Sequence, residues 1–128
     1  MSAFTLTIDV PPALWMTSNS RLHWAAKAKR TARLRAIGAL EARRQHAPHY
    51  QGRVRVTVTI HQRTRRRIDP LNVAPTIKAL IDGLTDARVW ADDDATRLVG
   101  PDIRAGSPDP TQPTGWHRLT ITITEEEP

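Results

Sequence analysis

The stretch RVRVTVTIHQRTRRRIDPLNVAPTIKALIDGL, residues 53–84, decides how this chain folds, because the hydrophobic period changes inside it. Over 53–61 the period is two. Val54, Val56, Val58 and Ile60 fall on one face; Arg53, Arg55, Thr57 and Thr59 fall on the other. Strict alternation of β-branched residues predicts a half-buried strand. From Val73 the period lengthens: Val73, Ile77, Leu80, Ile81 and Leu84 line one face of a helix over 73–84, with Lys78 and Asp82 one turn apart on the other. Pro75 is compatible only with a first turn, so the helix is expected to start near Asn72 or Val73, with Asn72 as N-cap. Between strand and helix lies a loop carrying Arg63, Arg65, Arg66 and Arg67, which ends at Asp69-Pro70.

Working outward, residues 3–10 alternate, with Phe4, Leu6, Ile8 and Val10 on one face, and predict a first strand that Pro11-Pro12 stops. A loop over 13–22 contains TSNSR. Residues 24–44 are rich in Ala, Arg and Lys and free of proline, which favours helix. Its thin apolar stripe is expected to anchor through Leu34, Ile37 and Leu40. After the second helix, an irregular strand is expected near 96–104, with Gly100-Pro101 inside it, and a regular one over 116–124. The turn-rich segment 105–114 is expected to be a mobile loop, and the tail 125–128 to be solvated. The order β-α-β-α-β-β in one domain, 1–128, predicts an α+β fold: two main helices packed on a small mixed sheet. Trp15 and Trp24 flank the TSNSR loop and are expected in core or interface rather than as base-stacking platforms. The histidines show no metal spacing; His61 and His117 fall at strand ends.

The composition narrows the function classes. With 128 residues and no cysteine, the chain has neither a disulfide framework nor a thiolate metal site, which suits a reducing compartment such as the cytoplasm. The N-terminus lacks a signal-peptide pattern, and no run of 18 apolar residues exists, so no membrane association is expected. Charge is divided unevenly. Residues 1–68 hold 14 Lys/Arg against Asp9 and Glu41, whereas residues 69–128 hold 5 Lys/Arg against 11 Asp/Glu. A basic half predicts a polyanion partner, since each neutralised phosphate releases counterions.

The acidic residues suggest what such a partner would meet. Asp69 opens the second helix, and Asp92, Asp93 and Asp94 follow its far end. A helix of twelve residues is ~18 Å long, so these carboxylates meet only if the segment after Leu84 folds back. If they meet, Mg²⁺ would relieve their repulsion and leave room for waters and phosphate oxygens. Plainer readings stand beside this one. Asp69-Pro70 is also a turn or helix-start pair, the aspartate run is also a solvated loop, and Lys78 with Asp82 is also an exposed i,i+4 pair.

The segment RRRIDPLNVAPTIKALIDGLTDARVWADDD resembles the core motif of the RusA family of Holliday-junction resolvases: a basic stretch, Asp-x-Asp-Asn, a helix with a lysine, Asp-Gly-Leu, then Asp-Asp. SNSR near the start and RLTITITE near the end fit the same family. The resemblance covers nearly the whole chain in order, and its central 30 residues are the specific part. It implies a RusA-like cytoplasmic homodimer that binds four-way junction DNA and cuts it with Mg²⁺ or Mn²⁺. Carried over position by position, it makes Asp69, Lys78 and Asp93 catalytic and Asp69, Asp92 and Asp93 metal-binding. Arg21, Lys27, Lys29, Arg30, Arg63, Arg65, Arg66 and Arg67 would hold DNA. Two departures are visible. Leu71 stands where the second motif aspartate belongs, and about three extra residues precede the lysine. The alternative is therefore a junction-binding protein with weak or no catalysis.

Overall fold

The computed structural model describes residues 3–92 and 96–126. In chain order it has strand β1 (Ala3–Val10), helix α1 (Trp24–Arg44), strand β2 (Val54–Gln62), a 3-10 turn (Pro70–Val73), helix α2 (Ala74–Asp86) and strands β3 (Leu98–Ala105) and β4 (His117–Glu125). The strands form one mixed sheet in the order β1-β4-β2-β3. β4 runs antiparallel to both β1 and β2, while β3 runs parallel to β2 at the edge of the sheet. The α+β expectation is borne out, with the last strand inserted between the first two β-α units rather than added at an edge.

Alternation decides which face is covered. Leu6, Ile8 and Val10, then Val54, Val56, Val58 and Ile60, then Leu119, Ile121 and Ile123 are all buried in one cluster with Leu34 of α1 and Ile77, Leu80, Ile81 and Leu84 of α2. The opposite face is a polar ladder: Thr5 pairs with Thr122, which pairs with Thr57; Thr7 pairs with Thr120, which pairs with Thr59. β3 carries the irregularity expected from Gly100-Pro101, a cis bond. Between the Arg55–Val99 and Thr57–Asp102 pairs β2 advances two residues and β3 three. A proline is tolerated there because β3 is an edge strand.

Helix packing corrects one expectation. Leu40 is 59% exposed, and α1 buries Leu34, Gly38, Ala39 and Ala42 instead. The reason is backbone approach. A Cβ on Gly83 would lie 2.1 Å from the Arg35 carbonyl oxygen, and one on Gly38 would lie 2.5 Å from that of Leu80. The two helices cross with glycine against glycine, so small residues, not the leucine stripe, form the seam. Beside it, the Arg35 guanidinium forks onto Asp86, with Nη2 at 2.8 Å from Oδ1.

The start of α2 also differs. Asn72 is not the N-cap. It lies inside the 3-10 turn, Val73 occupies the N-cap position of α2 without a side-chain bond, and Asp69 caps the 3-10 turn. Pro70 and Pro75 explain the two-step entry, since each pre-sets φ at the start of its own helical segment. Beyond α2 the chain packs against the end of that helix. Val89 and Trp90 are buried, and the Trp90 indole N–H donates to Thr85 Oγ1 at 2.7 Å.

Candidate nucleic-acid interface

The arginine loop leaves β2 and returns at Asp69. The Gln62 side chain steadies it by donating to the Arg66 carbonyl at 3.0 Å. Arg63, Arg65, Arg66 and Arg67 are exposed, and none forms an ion pair among the described residues. Arg66 borders two hollows. One of about 400 Å³ lies between Thr64, Arg65 and Arg66 and the 105–108 segment, with Ile60 and Ile68 as apolar walls. A smaller one of about 130 Å³ lies between Arg63, Arg66 and residues 114–117.

The segment expected to be mobile, 105–114, runs alongside the end of β2. Gly106 donates to the Ile60 carbonyl at 2.8 Å, Asp109 to that of Gln62 at 2.7 Å, and the Gln112 side chain to that of His61 at 2.8 Å. It thereby walls the larger hollow. His117, the first residue of β4, stacks on Trp15 with ring centroids 3.7 Å apart and planes within 5°. Burial, assisted by the positive charge of Arg66, holds the His117 imidazole below its ordinary pKa. Its Nδ1 is buried without a hydrogen-bond partner among the described residues. Sequence reading put Trp15 in the core or an interface; the ring is half-buried, and its stacking partner came from 102 residues away.

Asp69 is exposed. Its Oδ1 accepts from the Leu71 N–H at 3.1 Å. The loop before α1 docks on this turn: Ser18 donates to the Asn72 carbonyl at 2.7 Å, and Met16 and Thr76 exchange two bonds of 2.8 Å. The structure thus brings the SNSR loop and the Asp69 turn together, which spacing in the sequence could not show. Arg21, Lys27 and Lys29 beyond that loop are exposed, and Arg30 reaches back to the Trp15 carbonyl at 3.4 Å. None of these four forms an ion pair among the described residues. Trp24, expected in core or interface, lies outside the core: it is 76% exposed.

Lys78 projects from α2 and pairs with Asp82, Nζ to Oδ1 at 2.7 Å, which is the i,i+4 pair allowed for in the sequence. With Leu71, itself 76% exposed, Lys78 lines a groove of about 410 Å³ floored by Ile77, Ile81, Leu98 and Pro101. Asp92 is exposed, while Asp93 and Asp94 lie outside the described residues. Among the described residues no three His, Asp or Glu side chains gather closely enough to hold a metal ion. Asp69 and Asp92 supply the oxygen donors that Mg²⁺ or Mn²⁺ takes, but they do not assemble a ligand set by themselves.

No family model matches the chain, and no curated protein matches it.

Proposed function

We propose that the chain is a DNA-binding domain of the RusA type. In this reading it holds four-way junctions as a homodimer and, with Mg²⁺ or Mn²⁺, cuts their phosphodiester bonds. One observation carries the proposal. The eight cationic side chains picked out in the sequence, Arg21, Lys27, Lys29, Arg30, Arg63, Arg65, Arg66 and Arg67, have no acidic partner among the described residues, whereas Arg35, Arg44, Arg55, Arg104 and Arg118 each have one. Cations left unpaired on a surface repel one another and are stabilised when phosphates replace their counterions. Docking of the SNSR loop on the Asp69 turn gives both basic segments a common neighbour.

In the catalytic reading Asp69 and Asp93, with Asp92 next to Asp93 in the chain, would hold the ion. When bound it would polarise a phosphate oxygen and favour ionisation of an attacking water. The arginine loop would grip flanking phosphates and fix the strand. Lys78, swinging from Asp82, would offset negative charge developing on the reacting phosphate. A two-fold dimer would present two such sites, as paired nicking requires. No helix among the described residues is long and apolar enough to cross a membrane, and we place the activity in the cytoplasm.

A specific observation favours a second reading, binding without cutting. Leu71 occupies the position of a motif aspartate, and its exposed side chain shares a groove with Lys78. A leucine supplies no ligand. A labelled four-way junction, incubated with Mg²⁺, Mn²⁺ or chelator, separates the two. The nuclease reading expects symmetric nicks by wild type and none by Asp93→Asn, with binding retained. Binding without nicks, with cleavage gained by Leu71→Asp, would establish the second reading. Absence of junction binding at low salt would overturn both.

A further inference from the structure

We infer that Trp24 is a stacking platform for a nucleobase held out of the duplex stack, at a branch point or in a single strand. The inference rests on the DNA-binding reading above and adds a base contact to its phosphate contacts. A lone exposed hydrophobic residue needs no explanation by itself. Trp24 is set apart by its surroundings and its chemistry. It is the first residue of α1 and 76% exposed. The other large exposed hydrophobics of the described residues, Leu40 and Leu71, have no π face. Lys27 lies one turn along the same helix face, and Arg21 lies three residues before Trp24, both exposed.

The site is braced as well as charged. His23 Nδ1 accepts from the Ala25 N–H at 3.2 Å, which fixes the imidazole, and that ring leans on the indole at 5.5 Å between centroids. Restricting the indole reduces the entropy lost when a base lies on it. Position ties Trp24 to the candidate site. Ser18 is bonded to Asn72 in the turn that Asp69 caps. Six residue steps lead from Ser18 to Trp24, so the indole's backbone stands no farther than about 22 Å from Ser18. That span is a few nucleotides of backbone, so one strand can meet both the Asp69 turn and Trp24. An aromatic face accepts any base, but only one that is not already stacked within a duplex. Trp24 would therefore add discrimination for branched or single-stranded DNA over linear duplex.

The test compares wild type, Trp24→Ala and Trp24→Phe for binding to a four-way junction, a single strand and a linear duplex of the same sequence, across a salt series. Because the indole is exposed, all three proteins should fold alike, and a melting curve checks this. The expected result is a loss of about ten-fold in junction and single-strand affinity for Trp24→Ala. Duplex affinity and the salt slope should be unchanged, and Trp24→Phe should keep most of the wild-type preference. Equal weakening on all three DNAs, or none on any, overturns the inference while leaving phosphate binding intact. So does a shift of Trp24→Ala from dimer to monomer at the binding concentration, which would make the residue a subunit contact. Failure of wild type to bind any of the three DNAs overturns the DNA reading itself, and the stacking role with it.

Discussion

Arg118 and Arg66 border the same strand and are treated in opposite ways. Arg118 lies on β4 between two carboxylates, Asp9 at 2.8 Å and Asp109 at 2.9 Å. Arg66 stands beside the adjacent residue, His117, and has no acid within ion-pairing distance among the described residues. The same division runs through the molecule. Arg35 forks onto Asp86, Arg44 onto Glu41 and Arg104 onto Asp102, whereas the loop 63–67 and the start of α1 keep their charge. Arg35 and Arg118 hold one segment to another, Arg44 and Arg104 pair within their own helix or strand, and all four cancel a charge. Arg66 cancels none, and its charge adds to burial in opposing protonation of His117. Four of the arginines without an acidic partner among the described residues fall within residues 63–67, which concentrates positive charge in one loop.

The sharpest way to break this comparison is to neutralise one population and then the other. Replacing Arg63, Arg65, Arg66 and Arg67 together by glutamine should flatten the dependence of log K on log salt for duplex DNA by roughly 3.6, if each holds one phosphate. Near 0.15 M salt that is roughly a thousand-fold loss of affinity. Arg35→Gln with Arg118→Gln should leave the slope unchanged. Equal slopes in the two variants would end the distinction.

A smaller effect is expected where the paired region meets the helix seam. Gly83→Ala puts a methyl group against the Arg35 backbone, which cannot withdraw as a flexible side chain could. Overpacking of this kind costs about 1–3 kcal/mol, measured as a fall in urea midpoint, with phosphate binding per folded molecule unchanged. The smallest effect is a pH dependence. His117 has its pKa lowered by burial and by Arg66, so the folded state prefers the neutral ring. Between the folded and the unfolded pKa the unfolded chain binds more protons. Stability is therefore full above the ordinary value of 6.5 and falls as the pH drops through it. The melting temperature should decline on acidification below that point, and His117→Phe, which keeps an aromatic ring for Trp15, should flatten the decline.

Much of the fold was legible in the chain because local periodicity and burial coincide. Val54 to Ile60 alternate and are buried in alternation; Ile77, Leu80, Ile81 and Leu84 recur at helical spacing and are all buried. The misreadings share one cause. Local pattern favours Leu40 as an anchor and Asn72 as a cap, and the competing feature in each case is supplied by distant or neighbouring backbone: the approach of Gly83 to α1, and the 3-10 turn that Asp69 caps. The candidate interface was legible as residue types but not as an arrangement. The arginine run, the SNSR loop and Lys78 can be picked out by eye. That Ser18 bonds Asn72, or that the 105–108 segment walls a hollow beside Arg66, depends on chain paths that no short-range pattern encodes. Trp24 lies outside the core although large aromatics are usually covered, because only neighbouring elements decide whether one is.

The sequence by itself determined the type and order of the helices and strands, the buried face of the three regular strands, and the concentration of positive charge before Asp69, since each follows from interactions within a few residues or from composition. Tertiary structure alone decided that β4 enters between β1 and β2, that two glycines set the helix seam, and which cations are paired. Each of these depends on which distant backbone or carboxylate arrives within a few ångströms, and electrostatic and packing energies change most steeply over that distance.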